Sequence, residues 1–100
     1  MNSSNTPSAA CSKVNSALAS ESSLANSIEG EIKIAEMEGR DVSYARTLLI
    51  GARAMIGSAF EKCSAPSLKS AEQAQLEARV AADKLRQALA EIDMARNGTG

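Results

Sequence analysis

Histidine and tryptophan are absent from the 100-residue sequence, and its aromatic residues are one phenylalanine and one tyrosine. Histidine is the residue most often used for general base catalysis and for a protonation switch near neutral pH, and it is a common metal ligand. A chain without histidine therefore lacks the usual side chain for all three roles. The sequence also lacks a phosphate-binding loop, a nucleophile beside a base and a cluster of metal ligands. We therefore expect a protein that is not an enzyme and that uses no metal and no cofactor.

Concentrated positive charge and long apolar runs are also missing. The 11 basic residues are scattered and the formal net charge is −1, so we expect no nucleic-acid partner, because such a partner requires a basic face. No apolar run approaches the roughly 20 residues of a transmembrane segment. Polar residues rather than a signal peptide follow Met1, so either the chain is cytoplasmic or a signal has been removed.

The residues that are present are mostly small and aliphatic. Hydrophobic residues make up 44% of the chain, and they recur at helical spacing in three segments. The sequence therefore predicts an all-α fold, an antiparallel up-down-up three-helix bundle. The expected helices cover about 8–38, 41–64 and 68–96, in a single domain of residues 8–96 flanked by a flexible N-terminal arm (1–7) and a flexible tail (97–100).

The turn between the first two helices has two candidate positions. Gly39 is followed two residues later by Asp41, a good cap for the next helix. Gly30 is the alternative, and it would lengthen the second helix at the expense of the first. We favour Gly39, because Ile28 and Ile32 keep the same helical phase across Gly30.

The two cysteines lie on opposite sides of this turn. Cys11 precedes Gly39 by 28 residues and Cys63 follows it by 24, so a hairpin brings both to its open end. A disulfide there would stabilise the fold by roughly 3–4 kcal/mol and would indicate a secreted or periplasmic protein. The alternative is two separate thiols in a reducing cytoplasm. Neither cysteine belongs to a Cys-x-x-Cys pair, so a redox or zinc site is not indicated.

Charged residues suggest contacts between the helices. Glu21 lies in the apolar stripe of the first helix, about level with Arg53 of the second, and we predict an ion pair between them. A buried acid at Glu21 that takes part in proton transfer is the alternative. Carboxylates also gather near the turn, where we expect a solvated acidic tip rather than a cation site. They are Glu29, Glu31, Glu36, Glu38 and Asp41.

Several apolar residues fall outside the three core stripes. They are Ile34, Tyr44, Ile50, Leu76 and Val80. Off-stripe apolar side chains can form a second interface, so we expect either a protein partner or a homo-oligomer. The leading hypothesis is a non-enzymatic helical module for protein–protein interaction or assembly, exported from the cytoplasm.

Features of the sequence also fit two other functions. The residues Met37-Glu38-Gly39 at the turn, together with the chain length, resemble the small secreted helical-hairpin proteins that carry a Trp-x-Gly turn, although Met stands in place of Trp and Pro66 interrupts the second helix. The resemblance covers about the first 65 residues and implies a secreted protein. Alternatively, the bundle could bind an apolar small molecule between its helices, which predicts a cavity near Met55, Leu85 and Leu89.

Overall fold

The computed structural model describes residues 6–98, and all of the regular structure in this range is helical. The helices are α1 (Pro7–Met37), α2 (Ser43–Lys62) and α3 (Leu68–Arg96). Each helix packs against both of the others, in a rod of 55 × 19 × 17 Å. The predicted all-α three-helix bundle is confirmed.

The first helix begins earlier than the sequence suggested. Thr6 is its N-cap, and the Thr6 hydroxyl accepts a hydrogen bond of 3.1 Å from the Ala9 N–H. Pro7 occupies the first turn, where proline costs no hydrogen bond. The expected start at about residue 8 was therefore one residue late, and Thr6 and Pro7 belong to the helix start. The rest of the predicted arm and the last two residues of the predicted tail lie outside the described residues.

The turn between α1 and α2 lies at Gly39, as predicted. Gly39 has a φ of +77°, a left-handed conformation that glycine adopts without steric cost, whereas Gly30 lies inside α1. The N-cap of α2 is Val42, which makes no side-chain capping bond, so the prediction that Asp41 is the cap was wrong. The Asp41 carboxylate still accepts hydrogen bonds from the Ser43 N–H (3.1 Å) and the Ser43 hydroxyl (2.8 Å) at the start of this helix. The chain therefore reverses over the five residues 38–42.

A second reversal, around Pro66, leads into α3. Ser67 and Ser70 form a reciprocal capping box: the Ser70 N–H donates to the Ser67 hydroxyl (3.1 Å), and the Ser67 N–H donates to the Ser70 hydroxyl (2.8 Å). The start of α3 at Leu68 agrees with the predicted helix over about 68–96.

The end of α3 lies beside the end of α1. The Arg96 guanidinium donates to Glu31 (2.9 Å) and to Glu38 (3.2 and 3.3 Å), although 65 and 58 residues separate them in sequence. Both C-termini therefore meet at one end of the rod, which is the up-down-up arrangement.

The core is aliphatic throughout. Its largest fully buried side chains are Leu18, Ile28, Ile32, Leu49 and Leu85. The buried face of α3 is dominated by alanine, and this small side chain lets α3 lie close to its neighbours. No residue of the described chain with a polar or charged side chain is buried as a whole. Polar groups that could act on a partner are therefore at the surface.

Candidate functional site

The open end of the bundle carries the two cysteines. Cys11 and Cys63 are at disulfide distance, with Cα atoms 5.5 Å apart. Cys11 is only 3% exposed, and Cys63 packs against the core. The predicted pairing is thus confirmed at the level of distance. An open groove beside it is lined on α1 by small, mostly polar residues: Ser8, Ser12, Asn15, Ser16 and Ala19.

Arg53 does not form the predicted ion pair with Glu21. Its guanidinium donates to Glu29 at 2.5 Å and to Asn26 at 2.9 Å, both on α1. These contacts lower the pKa of the Glu29 carboxyl below its ordinary value, through the hydrogen bond and the charge of Arg53 and, to a smaller extent, through Lys33. The prediction was wrong because Glu21 lies on the edge of α1 that faces α3, whereas Arg53 lies on the edge of α2 that faces α1.

Glu21 instead lies in an open groove between α1 and α3. Its Oε1 atom is buried and has no hydrogen-bond partner among the described residues, while the side chain as a whole is only partly buried. Loss of hydration raises the pKa of this carboxyl. The groove has a volume of about 250 Å³, and Lys13 and Arg79 line it as well. It is apolar at its base, where it is lined by Val14, Ala17, Ala78 and Ala82.

The acidic residues near the turn are not a purely solvated tip. Glu36 accepts hydrogen bonds from Arg46 at 2.8 and 3.2 Å, and Arg96 binds Glu31 and Glu38. These pairs connect α1 with α2 and with α3. Sequence reasoning identified the carboxylates but missed both arginines, since their partners depend on which helix edges meet. Residues 6–98 contain no group of acidic or cysteine side chains placed to hold a metal ion.

A half-buried polar cluster joins α2 to α3. The Lys62 ammonium donates to Glu77 (2.9 Å) and to the Ser58 hydroxyl (2.8 Å), and Ser58 donates to Glu77 (3.0 Å). The other carboxylate oxygen of Glu77 is buried without a hydrogen-bond partner in the described chain. No spacing or motif in the sequence predicts that Ser58, Lys62 and Glu77 meet. These hydrogen bonds and the ion pair link α2 directly to α3.

The five apolar residues predicted to form an interface are all exposed, but they do not form one patch. Their exposed fractions are Ile34 44%, Tyr44 56%, Ile50 65%, Leu76 61% and Val80 39%. They lie on three different helices. Leu76 and Val80 are one turn apart and share a face of α3. Other large apolar side chains that the sequence reasoning did not single out are also exposed: Leu24, Met37, Phe60, Leu68 and Met94.

The outward face of α2 is uncharged over most of its length. Arg53 is the only charged residue between Arg46 and Glu61, and it is bound to α1. Exposed residues on this stretch are small or apolar: Thr47, Ile50, Ala54, Gly57 and Phe60. The part of α1 between Lys13 and Glu29 also carries little charge, but most of its exposed residues are serine or asparagine. We call Ile50, Ala54 and Gly57 the α2 face. The sequence signal for the α2 face is the stretch between Arg46 and Glu61, which contains no charged residue except Arg53.

The cavity predicted near Met55, Leu85 and Leu89 is not supported. Leu85 has no exposed surface, and Met55 and Leu89 pack against the same core cluster. Side chains therefore occupy this part of the interior. The grooves described above lie elsewhere, on the surface between helices.

No helix within residues 6–98 combines the length and the apolar character needed to cross a membrane. No protein-family model, curated protein or solved structure matches the chain.

Proposed function

We propose that the protein is a non-enzymatic interaction module, exported from the cytoplasm, that binds a protein through the α2 face. One observation carries the proposal: Ile50 is 65% exposed, and no unpaired charge surrounds it along α2 between Arg46 and Glu61. Exposing such an apolar helix face to water is unfavourable, and covering it with a protein partner removes this cost.

The small size of Ala54 and Gly57 supports the same proposal. A helix that carries small residues on its surface permits a second helix to approach closely, and close approach increases the number of van der Waals contacts. A helix of the partner, apolar along one side, therefore suits this surface.

Nucleic acid is not the proposed partner. Of the cations in the described residues, Arg46, Arg53, Lys62 and Arg96 are already bound to carboxylates of other helices. A cation in such a pair must exchange one anion for another before it can contact a phosphate. This arrangement favours a protein partner.

Site-specific photo-cross-linking tests the surface. A photoreactive residue at Ala54 is expected to give a discrete adduct in the cells that naturally produce the protein, whereas the same residue at Gln87, which is exposed on α3, is expected to give none. Absence of an adduct at Ala54, or equal labelling at both positions, would contradict the proposal.

Thiol titration tests export separately. The unreduced protein purified from its native source is expected to contain no free sulfhydryl, since Cys11 and Cys63 are at bonding distance. Two free sulfhydryls per chain would contradict export of a disulfide-bonded protein and would leave the proposal about the α2 face unaffected.

A further inference from the structure

We infer that the partner of the α2 face is a second copy of this chain, docked with its α2 antiparallel to the first about a two-fold axis near Arg53 and Ala54. This inference rests on the proposed function, because it names the protein that the α2 face binds. It follows from the shape of the face and from the charges at its two ends.

The shape of the α2 face is self-complementary. Ile50 projects from the surface with 65% of its area exposed, while a Cβ atom at Gly57 would meet no atom within 4 Å, so the space above Gly57 is open. The two residues are seven positions apart, which is about two helical turns, so they lie on one line along the helix. A two-fold axis midway between them places each Ile50 over Gly57 of the other copy. The Ile50 side chain of each copy then occupies the open space above Gly57 of the other copy.

The charges match the same axis. Arg46 lies four residues before Ile50 and Glu61 lies four residues after Gly57, so the axis that pairs Ile50 with Gly57 also pairs Arg46 with Glu61 of the second copy. Arg46 holds Glu36 through Nε and Nη2, and that bond does not use Nη1. The structure gives the Glu61 carboxylate no partner among residues 6–98. Two such ion pairs form per dimer, one at each end of the interface.

The parallel alternative is disfavoured by the same residues. A parallel pair of α2 helices in register would place Gly57 against Gly57 and Arg46 against Arg46, which leaves the open space above Gly57 unfilled and brings like charges together. In the antiparallel pair, Arg53 lies near the axis, opposite the small side chain of Ala54. Glu29 of its own chain already balances its charge at 2.5 Å. The axis therefore brings no unpaired cation of α2 into the interface, and the Lys84 side chain of α3 lies beside it, against Gly51.

Sedimentation equilibrium over a concentration series tests the inference. The wild-type chain is expected to show a mass of twice 10.4 kDa at high concentration. Ile50→Ala removes the projection and Gly57→Ile fills the gap, so each is expected to weaken association by about tenfold or more. The double variant, which exchanges projection and gap, is expected to recover association. Leu76→Lys on α3 is the control and is expected to leave the mass unchanged. Circular dichroism confirms that each variant is folded.

Other outcomes overturn the inference. A mass of 10.4 kDa up to about 1 mM would exclude the dimer, and a dimer unaffected by Ile50→Ala and Gly57→Ile would place the contact on another face. If the purified protein is monomeric but a photoreactive Ala54 still captures a different protein in cells, the proposed function stands and the second copy is wrong. If the purified protein is monomeric and a photoreactive Ala54 captures no protein in cells, the proposed function and the second copy are both wrong.

Discussion

The Arg53 guanidinium on α2 binds the Glu29 carboxylate on α1 at 2.5 Å, and it makes no bond with Glu21. The contact lies at the edge of α2 that faces α1, and the orientation of α2 is set by its buried residues, among them Leu49 and Ala52. With Arg53 turned toward α1, Ile50, Ala54 and Gly57 lie on the exposed side of the helix. The buried side of α2 therefore accounts both for the position of the ion pair and for the exposure of the α2 face.

A double-mutant cycle tests this ion pair. We expect the loss of unfolding free energy in the double variant to differ from the sum of the losses in Arg53→Ala and Glu29→Ala, because the two side chains are in direct contact. The matched cycle of Arg53 with Glu21 is expected to be additive. Coupling in the Glu21 cycle would contradict the observed pairing.

The coupling between Arg53 and Glu29 should also depend on pH. The folded-state pKa of Glu29 is lowered from its ordinary value of 4.5. A lowered pKa contributes stability that is present above 4.5 and is lost as the pH falls through the lower, folded value. We expect the coupling measured by urea unfolding to disappear in that acidic range. A coupling that persists below it would show that the carboxylate charge is not involved.

Glu21 has the opposite pH dependence. Its folded-state pKa is raised from 4.5 by loss of hydration, so protonation favours the folded protein, and the stability gained is lost as the pH rises through the folded value. We expect Glu21→Gln to be more stable than wild type at pH 7 by less than about 1 kcal/mol, since the side chain is partly solvated. The difference should shrink as the pH falls through the folded pKa. A variant less stable than wild type at pH 7 would reveal an unseen favourable partner of the carboxylate.

Two glycines of the first hairpin provide a matched test of the turn. Gly39→Ala forces alanine to a φ of +77° and is expected to destabilise the protein by about 1 kcal/mol or more. Gly30→Ala lies inside α1 with open space around its Cβ position, and it is expected to stabilise by about 0.5–1 kcal/mol. Thermal and urea unfolding measure both. Equal effects of the same sign would contradict a turn at Gly39.

The Cys11–Cys63 pair closes a long loop. The two cysteines are 52 residues apart, so a disulfide between them is expected to stabilise the fold by about 4 kcal/mol on the chain-entropy model. We expect Cys11→Ser, Cys63→Ser and the double variant to lose similar amounts, because each removes the same bond. Additive losses in the double variant would indicate that the cysteines contribute separately through packing.

Local sequence patterns predicted much of the fold. The turn followed from Gly39 and Asp41, and the three helices followed from apolar residues at helical spacing, because both depend on residues near one another in the chain. The start of α1 was placed one residue late, since the cap Thr6 and the first-turn residue Pro7 precede the apolar residues at helical spacing. Hydrophobic spacing alone does not show whether such residues belong to the helix or precede it.

The contacts between helices were much harder to predict. Arg96 meets Glu31 and Glu38 across about 60 residues of sequence, and its pairing depends on how each helix is rotated about its axis. A rotation that still buries the same apolar stripe can move a long side chain from one neighbour to another, which is why Arg53 was assigned to Glu21. The exposed face of α2 was missed for a similar reason, as individual apolar residues were considered rather than the absence of charge between Arg46 and Glu61.

The proposed binding of a protein through Ile50 on the α2 face is tested most directly by photo-cross-linking from Ala54 in the natural host, with Ile50 intact and with Ile50→Lys. Because lysine places an unpaired charge in an apolar contact, we predict a discrete adduct in the first case and its loss in the second, while the fold by circular dichroism is unchanged. An adduct of equal yield in both would contradict the claim.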